Sequence, residues 1–476
     1  MTAQTILPAN TLSSGYDVAN SLRLNSGDSP YMHKVKDNNN EINTITFSAW
    51  VKRSKLGATQ RIVSHMTNGF ADYFYFRFND SDVFEFAFKG SANNIVWTTN
   101  RIFRDISAWY HIVARVDTTN GTAGNRVRIY VNGVQETSFS ASTNPDQNET
   151  FSIGTTSDPI VVGGLYGSGY GISSGSTSEH FGGYIAELVV CEGQSLAPTS
   201  FGEFDEDSPT IWKPISVSGL TFGTNGFYLD FEDSSNLGND VNGGTDLTEV
   251  NLAATDQSTD TCTNNFAVLA NHSSDDLTLT EGRLKFENPS GGHRMVSSTI
   301  APLQGKWYAE VKMTTEAQST RVGVIDPQKF IYNTYIHNAG RGYAYKGNDG
   351  STRFNDGTTD GSYGDTYTTG DIVGIAMDLD NHKLYFSKNG TFQDSGDPTS
   401  GATGTGSAFD LVTGVEYYIA ASTQDQGTNP FIEFNFGSPA YAISSGNADG
   451  NGFGNFEYSV PSGYYALNSK NLAEFG

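Results

Sequence analysis

Positive charge is scarce in this chain. Its 476 residues hold 28 Lys and Arg against 52 Asp and Glu, a net charge of −24. No Lys/Arg-rich run occurs, and without a basic footprint a phosphate backbone has nothing to bind, so a nucleic-acid partner is excluded. Charged residues of both signs make up 17%, below the roughly 25% of an average soluble protein. Cysteine is almost absent: Cys191 sits in an apolar run and Cys262 in a polar stretch, too few for a disulfide framework. No apolar run approaches the roughly 20 residues that span a bilayer. The first twenty residues, MTAQTILPANTLSSGYDVAN, lack a basic start and an apolar stretch, so no signal peptide is expected and folding is expected in a cytosol. The sequons at Asn148 and Asn389 then read as chance. Helical periodicity is missing too, apart from one turn at Pro198–Phe204 with proline at its start.

What fills the space is glycine, 53 residues, and aromatics at 12%, the composition of many short strands joined by tight turns. Ala108–Val134 shows the plan. Trp109 to Val116 carries β-branched and aromatic residues at every second place, the period of a half-buried strand. A polar turn from Asp117 to Asn125 leads into Val127, Ile129 and Val131, and Asn132-Gly133 closes the unit as a hairpin turn. Asp371–Gly390 repeats it: Ile372 to Met377, an Asp-rich turn, Lys383 to Ser387, then Asn389-Gly390. Further runs, such as Tyr73 to Phe78 and Val83 to Phe88, recur every 10 to 15 residues, the rhythm of an antiparallel sandwich. A chain this long exceeds the size at which one core stops growing. The fold class expected is all-β, two tandem antiparallel β-sandwich (jelly-roll) domains.

Ser107-Ala-Trp-Tyr-His-Ile-Val113, Val127 to Gly133 and Phe181-Gly-Gly-Tyr-Ile-Ala-Glu187 resemble a laminin-G-like, concanavalin A-like jelly roll. Gly305 to Val311, Val322 to Val324, Gly370 to Gly374, Lys383 to Gly390 and Asn435 to Gly437 resemble a SPRY domain. The stretch from Thr224 to Phe266 is similar to a junction found in tailed-bacteriophage virion proteins. These resemblances imply an N-terminal arm over 1–20 as candidate virion anchor, a first sandwich over 21–208, a junction strand and linker over 209–270, a second sandwich over 271–465 and a tail over 466–476. They imply a virion protein on capsid or tail, assembled in the host cytoplasm, contacting other virion proteins and host-surface glycan or protein. A homotrimer is the expected assembly, although no heptads or β-helical repeats appear.

Catalysis is not expected. Retaining glycoside hydrolysis needs two carboxylates about 5 Å apart. The nearest pair here, Glu187 and Glu192, is five residues apart, on opposite faces of a strand. No nucleophile elbow, P-loop or zinc-protease motif occurs, and His111, inside a strand, reads as structural. A calcium ion at the sandwich rim is implied by the laminin-G resemblance, with Asp72 and Asp117 as candidate ligands, though both suit turns equally well. The remaining chemistry is recognition by loops. Tyr166 and Tyr170 sit in a glycine loop, Tyr343 and Tyr345 alternate with Gly and Ala near Asn348, and Tyr363 flanks another Gly/Asp loop. Exposed tyrosines give large contact area at low entropy cost. Two readings stand: an adhesin for glycans, or a structural cement that binds no sugar.

Overall fold

A computed structural model describes residues 15–67, 71–165, 179–271, 277–289, 292–315, 320–331, 333–354, 358–424 and 430–476. The chain divides into two compact units at Thr263/Asn264. Each is built from antiparallel sheets, as the alternating pattern requires.

In the first unit one sheet runs, edge to edge, Val134–Gln135, Val127–Val131, Trp109–Asp117, Thr44–Arg53, Gly183–Glu192, Ser21–Leu24 and Gln257–Ser258, with Phe227–Leu229 also paired to Gly183–Glu192. The other runs Phe139–Ser142, Asn94–Ile102, Val83–Lys89, Tyr73–Phe78, Gln60–Met66, Ile160–Val162, Tyr31–Lys34 and Thr248–Val250. Phe47 and Ile112 from the first sheet share a fully buried core with Phe74, Phe76, Phe86 and Phe88 from the second. The rings interlock, Phe47 stacking on Phe74 at 4.4 Å between centroids and Phe84 meeting Phe76 edge-on at 4.7 Å. Such contacts add to the burial of large apolar area that dominates a sandwich core.

The second unit has a seven-stranded sheet ordered Leu269–Asn271, His293–Ser298, Tyr418–Gln424, Arg321–Ile325, Gly342–Lys346, Ser351–Phe354 and Thr358–Ser362. Its partner runs Thr278–Thr280, Lys285–Glu287, Phe431–Asn435, Lys306–Thr315, Ile372–Asp378, Lys383–Lys388 and Thr391–Phe392. Trp307, Val311, Ile375, Phe386, Ile419 and Phe434 are among the residues filling the core.

The two Asn-Gly turns do the same work in both units. Asn132 and Gly133 have φ of 48° and 75°, and Asn389 and Gly390 have 48° and 78°, the left-handed pair that a two-residue hairpin of right-handed twist demands. Each asparagine also caps a neighbouring strand: Asn132 Oδ1 accepts from the His111 N–H at 2.8 Å, and Asn389 Oδ1 from the Ile372 N–H at 2.9 Å.

Two stretches fold more fully than expected. Residues 209 to 263, assigned from sequence to a junction strand and linker, belong to the first unit. Phe227–Leu229, Thr248–Val250 and Gln257–Ser258 extend its sheets, and Leu229, Leu237 and Leu247 are buried in its core. The C-terminal tail is likewise built in: Tyr465–Ala466 pairs in parallel with Lys306–Thr315, and a seven-residue helix, Ser469–Phe475, follows. Asn468 caps that helix, accepting from the Asn471 N–H at 2.9 Å.

Candidate functional site

The strand Tyr73–Phe78 alternates strictly: Phe74, Phe76 and Phe78 are buried in the core, while Tyr73, Tyr75 and Arg77 lie half-buried on the sheet's other face. That outward face gathers chemistry. The Tyr73 and Tyr75 rings run nearly parallel, 15° apart with centroids at 5.8 Å. The Arg77 guanidinium stands over Tyr75 at 4.0 Å, and Arg61 on the adjoining strand reaches the same ring at 5.2 Å, both within cation–π range. Each arginine has a carboxylate. Arg77 pairs with Glu85, directly opposite in register, at 2.7 Å, and Arg61 pairs with Glu179 at 2.7 Å. The Asn79 amide donates to Glu85 as well, at 2.9 Å. Burial pushes the Tyr73 and Tyr75 hydroxyls up from their ordinary range, so both stay neutral donors and acceptors.

Such a surface offers flat aromatic area flanked by fixed donors and acceptors whose charges cancel in pairs. A sugar ring asks for this arrangement: an apolar face to stack and hydroxyls to bind. Nothing in it is basic enough for a polyanion.

The tyrosines singled out in loops fare differently. Tyr166 and Tyr170 lie outside the described residues. Tyr343 and Tyr345 are core residues of the second unit, not loop contacts. The reason is the glycine and alanine between them. Gly342 and Ala344 face the other way, beneath the segment around Ile336–Asn338, and a Cβ on Gly342 would stand 1.9 Å from the Ile336 carbonyl oxygen. Small residues here permit close packing and leave the tyrosines to point inward. Tyr345 donates its hydroxyl proton to the Asp365 carbonyl and Tyr363 to that of Gly406, 3.4 Å away. Tyr363 is largely buried against Tyr345 and Phe386, and Asn348 alone of this group is exposed. Tyr73 and Tyr75 could have been found from the sequence, since aromatic residues that alternate with phenylalanines cannot all be inside.

The candidate metal ligands have local duties. The Asp117 carboxylate accepts from the N–H of Thr119 at 3.1 Å and from its hydroxyl at 2.5 Å, closing a turn. Asp72 lies 3.7 Å from His65. Among the described residues no three His, Cys, Asp or Glu side chains come together as a metal-holding group. His111 is structural: its Nε2 bonds Ser48 at 2.8 Å, its Nδ1 accepts from the Trp212 indole at 2.9 Å, and it is stacked on Trp50 at 4.7 Å. Complete burial pulls its pKa down to about 3. Glu192 accepts from the backbone and side chain of Asn225 and lies 3.6 Å from Lys36. Glu187 sits on the outer face of the same strand, bonded by Tyr228. The expected opposition of the two carboxylates holds, although a bulge between Ala186 and Val189 exchanges which face each takes.

Residues 26–192 match the family described as the concanavalin A-like lectin/glucanases superfamily, and residues 306–437 match the SPRY domain. Human Ran-binding protein 9 is 32% identical over 87 residues, 18% of this chain and 12% of that protein. The Ran-binding proteins 9/10 homolog of Drosophila melanogaster is 30% identical over 87 residues, 18% of this chain and 9% of the homolog. The chain thus spans about a tenth of the length of these curated relatives. Among solved structures, domains LG4-5 of the mouse laminin alpha1 chain align with 91% of this chain and 92% of that one at 10% identity and a TM-score of 0.32. The SPRY domain of human HERC1 aligns with 34% of this chain and 92% of that one at 18% identity and a TM-score of 0.28. Among the described residues, no helix is long and apolar enough to cross a membrane.

Proposed function

We propose that this chain, which carries a concanavalin A-like domain followed by a SPRY domain, acts by binding rather than by catalysis, and that its first domain holds a surface glycan on the Tyr73–Tyr75 face. The parallel tyrosine pair, flanked by the Arg77–Glu85 and Arg61–Glu179 ion pairs, carries the reading. The carboxylates that a glycosidase would need, Glu187 and Glu192, are occupied with Tyr228 and Asn225. The junction resemblance over Thr224 to Phe266 supports placing the protein on a tailed-phage particle, as tail fibre or head decoration, with host attachment as the task. Mass spectrometry of purified particles checks that placement; a chain found only in infected-cell lysate overturns it.

A second reading, cement or adaptor, draws on the second unit. Its predicted tyrosine platform is core, and curated relatives of the chain, matched over 87 residues, are named as Ran-binding proteins.

A glycan array probed with the full chain separates the two. Signal is expected, with Tyr73→Ala or Tyr75→Ala lowering affinity by at least about tenfold, or ~1.4 kcal/mol, while thermal unfolding stays cooperative. A blank array removes the glycan reading and leaves cement. Polysaccharide cleavage lost on Glu187→Gln would overturn the non-enzymatic reading.

A further inference from the structure

Glu187 occupies an awkward position. The strand Gly183–Glu192 slips by a residue against Thr44–Arg53 between Ala186 and Val189, and Glu187 there has a left-handed backbone, φ 49°. For a non-glycine residue that conformation is strained. The result is a carboxylate turned to the outer face and then covered, 5% exposed. Oε2 accepts the hydroxyl proton of Tyr228 at 2.8 Å and is 3.3 Å from the hydroxyl of Tyr16; the two phenol oxygens are 3.2 Å apart.

Tyr228 comes from the sheet, Tyr16 from the segment 15–20 that leads into the first strand. That segment crosses the outer face as a strap. Val18 donates its N–H to Thr263 Oγ1 at 3.1 Å and accepts the Thr263 hydroxyl proton at 3.2 Å. Its side chain is buried with Trp50, Ala186, Trp212 and Cys262. A second contact joins Asn20 Nδ2 to the Ser258 carbonyl at 3.5 Å.

The groups that act on Glu187 are Tyr16 from the strap, Tyr228 with Asp230 and Glu232 from the strand Phe227–Leu229 and its continuation, and Cys262 from the adjoining stretch. None is a cation. Lys52, on the neighbouring strand, is already paired with Asp260 at 2.7 Å.

We infer that residues 15–20 form a proton-keyed strap, closed on Glu187 when its carboxyl carries a proton and loosened when it ionises. Burial first, with Asp230 and Glu232 adding to it, pushes this carboxyl up to about 7, against the tyrosine bonds that favour its charged form. A carboxyl whose pKa is raised by closure stabilises the closed state most below its free value and loses that contribution as pH rises through about 7.

Hydrogen–deuterium exchange of the full chain, with times corrected for intrinsic exchange, tests this at about pH 6 and about pH 8.5, on either side of the transition. Wild-type peptides covering 15–20 should exchange about tenfold faster at the higher pH, because about pH 6 lies one unit below the closed-state value of about 7 and the stabilisation held there is gone by about pH 8.5. In Glu187→Gln they should stay slow at both. Peptides from Thr44–Arg53 report that the sandwich itself is intact. The same pH step in Glu187→Gln, or a wild-type strap equally slow at both values, overturns the inference.

Discussion

Asp260→Ala is expected to lower the unfolding free energy of the first unit by about 3–5 kcal/mol, the cost of stranding a buried charge. Lys52 and Asp260 form an ion pair at 2.7 Å with both side chains 1% exposed. Burial pulls the Lys52 ammonium below its ordinary range, and Asp260 opposes that shift. Removing the carboxylate leaves the amine to give up its proton or stay charged in an apolar setting, and either outcome is costly. The loss spreads further, because Asp260 Oδ1 also accepts from the Trp109 indole at 3.2 Å. Urea denaturation followed by far-UV circular dichroism measures the drop. Lys52→Met combined with Asp260→Leu should recover most of it, since two apolar groups of similar size need no compensation. A single-variant loss under about 1 kcal/mol would place this pair with ordinary surface bridges and refute the account.

The second large effect is expected at Glu310. This carboxylate is wholly buried and accepts the N–H groups of Glu457 and Tyr458 at 2.9 and 2.8 Å, the Tyr308 hydroxyl at 3.2 Å and the Asn435 amide at 3.2 Å. It staples the stretch before the C-terminus to the strand Lys306–Thr315. Each buried donor left without an acceptor costs about 1–3 kcal/mol, so Glu310→Ala should destabilise the second unit by about 3–5 kcal/mol once partial relaxation is allowed for. Limited proteolysis should then cut between residues 440 and 465 before the sandwich unfolds. Glu310→Gln keeps one acceptor oxygen and should fall between wild type and alanine. Alanine and wild type resisting protease equally would show that the C-terminal stretch is held by something else.

The strands that announced themselves did so by period and by turn chemistry. Trp109–Asp117, Val127–Val131, Ile372–Asp378 and Lys383–Lys388 all stand where alternation and Asn-Gly placed them. Phe227–Leu229 lies in the run expected as the junction strand, whereas Thr248–Val250 and Gln257–Ser258 are three residues or fewer, too short for a period of two to show. Only their pairing partners, far off in sequence, make them strands. The site was misjudged for a related reason. Gly342 beside Tyr343 marks a close approach between backbones, which leaves both tyrosines turned inward. The Tyr73–Tyr75 face was already written in the alternation with Phe74 and Phe76. The face that Glu187 takes was beyond reach, since a bulge reverses side-chain parity and nothing local to Ala186–Val189 declares one.

The short strands contributed by residues 209 to 263 also bear on how the molecule can be taken apart. Thr248–Val250 and Gln257–Ser258 are the outermost rungs on one side of each sheet of the first unit, laid against Tyr31–Lys34 and Ser21–Leu24. A fragment cut where the concanavalin A-like match ends, at residue 192, bares both of those ladders at once. It also uncovers the apolar places that Leu229, Leu237 and Leu247 fill. Naked rungs beside greasy gaps recruit one another, so such a piece is expected to clump, whereas the division between the two compact units falls after Thr263.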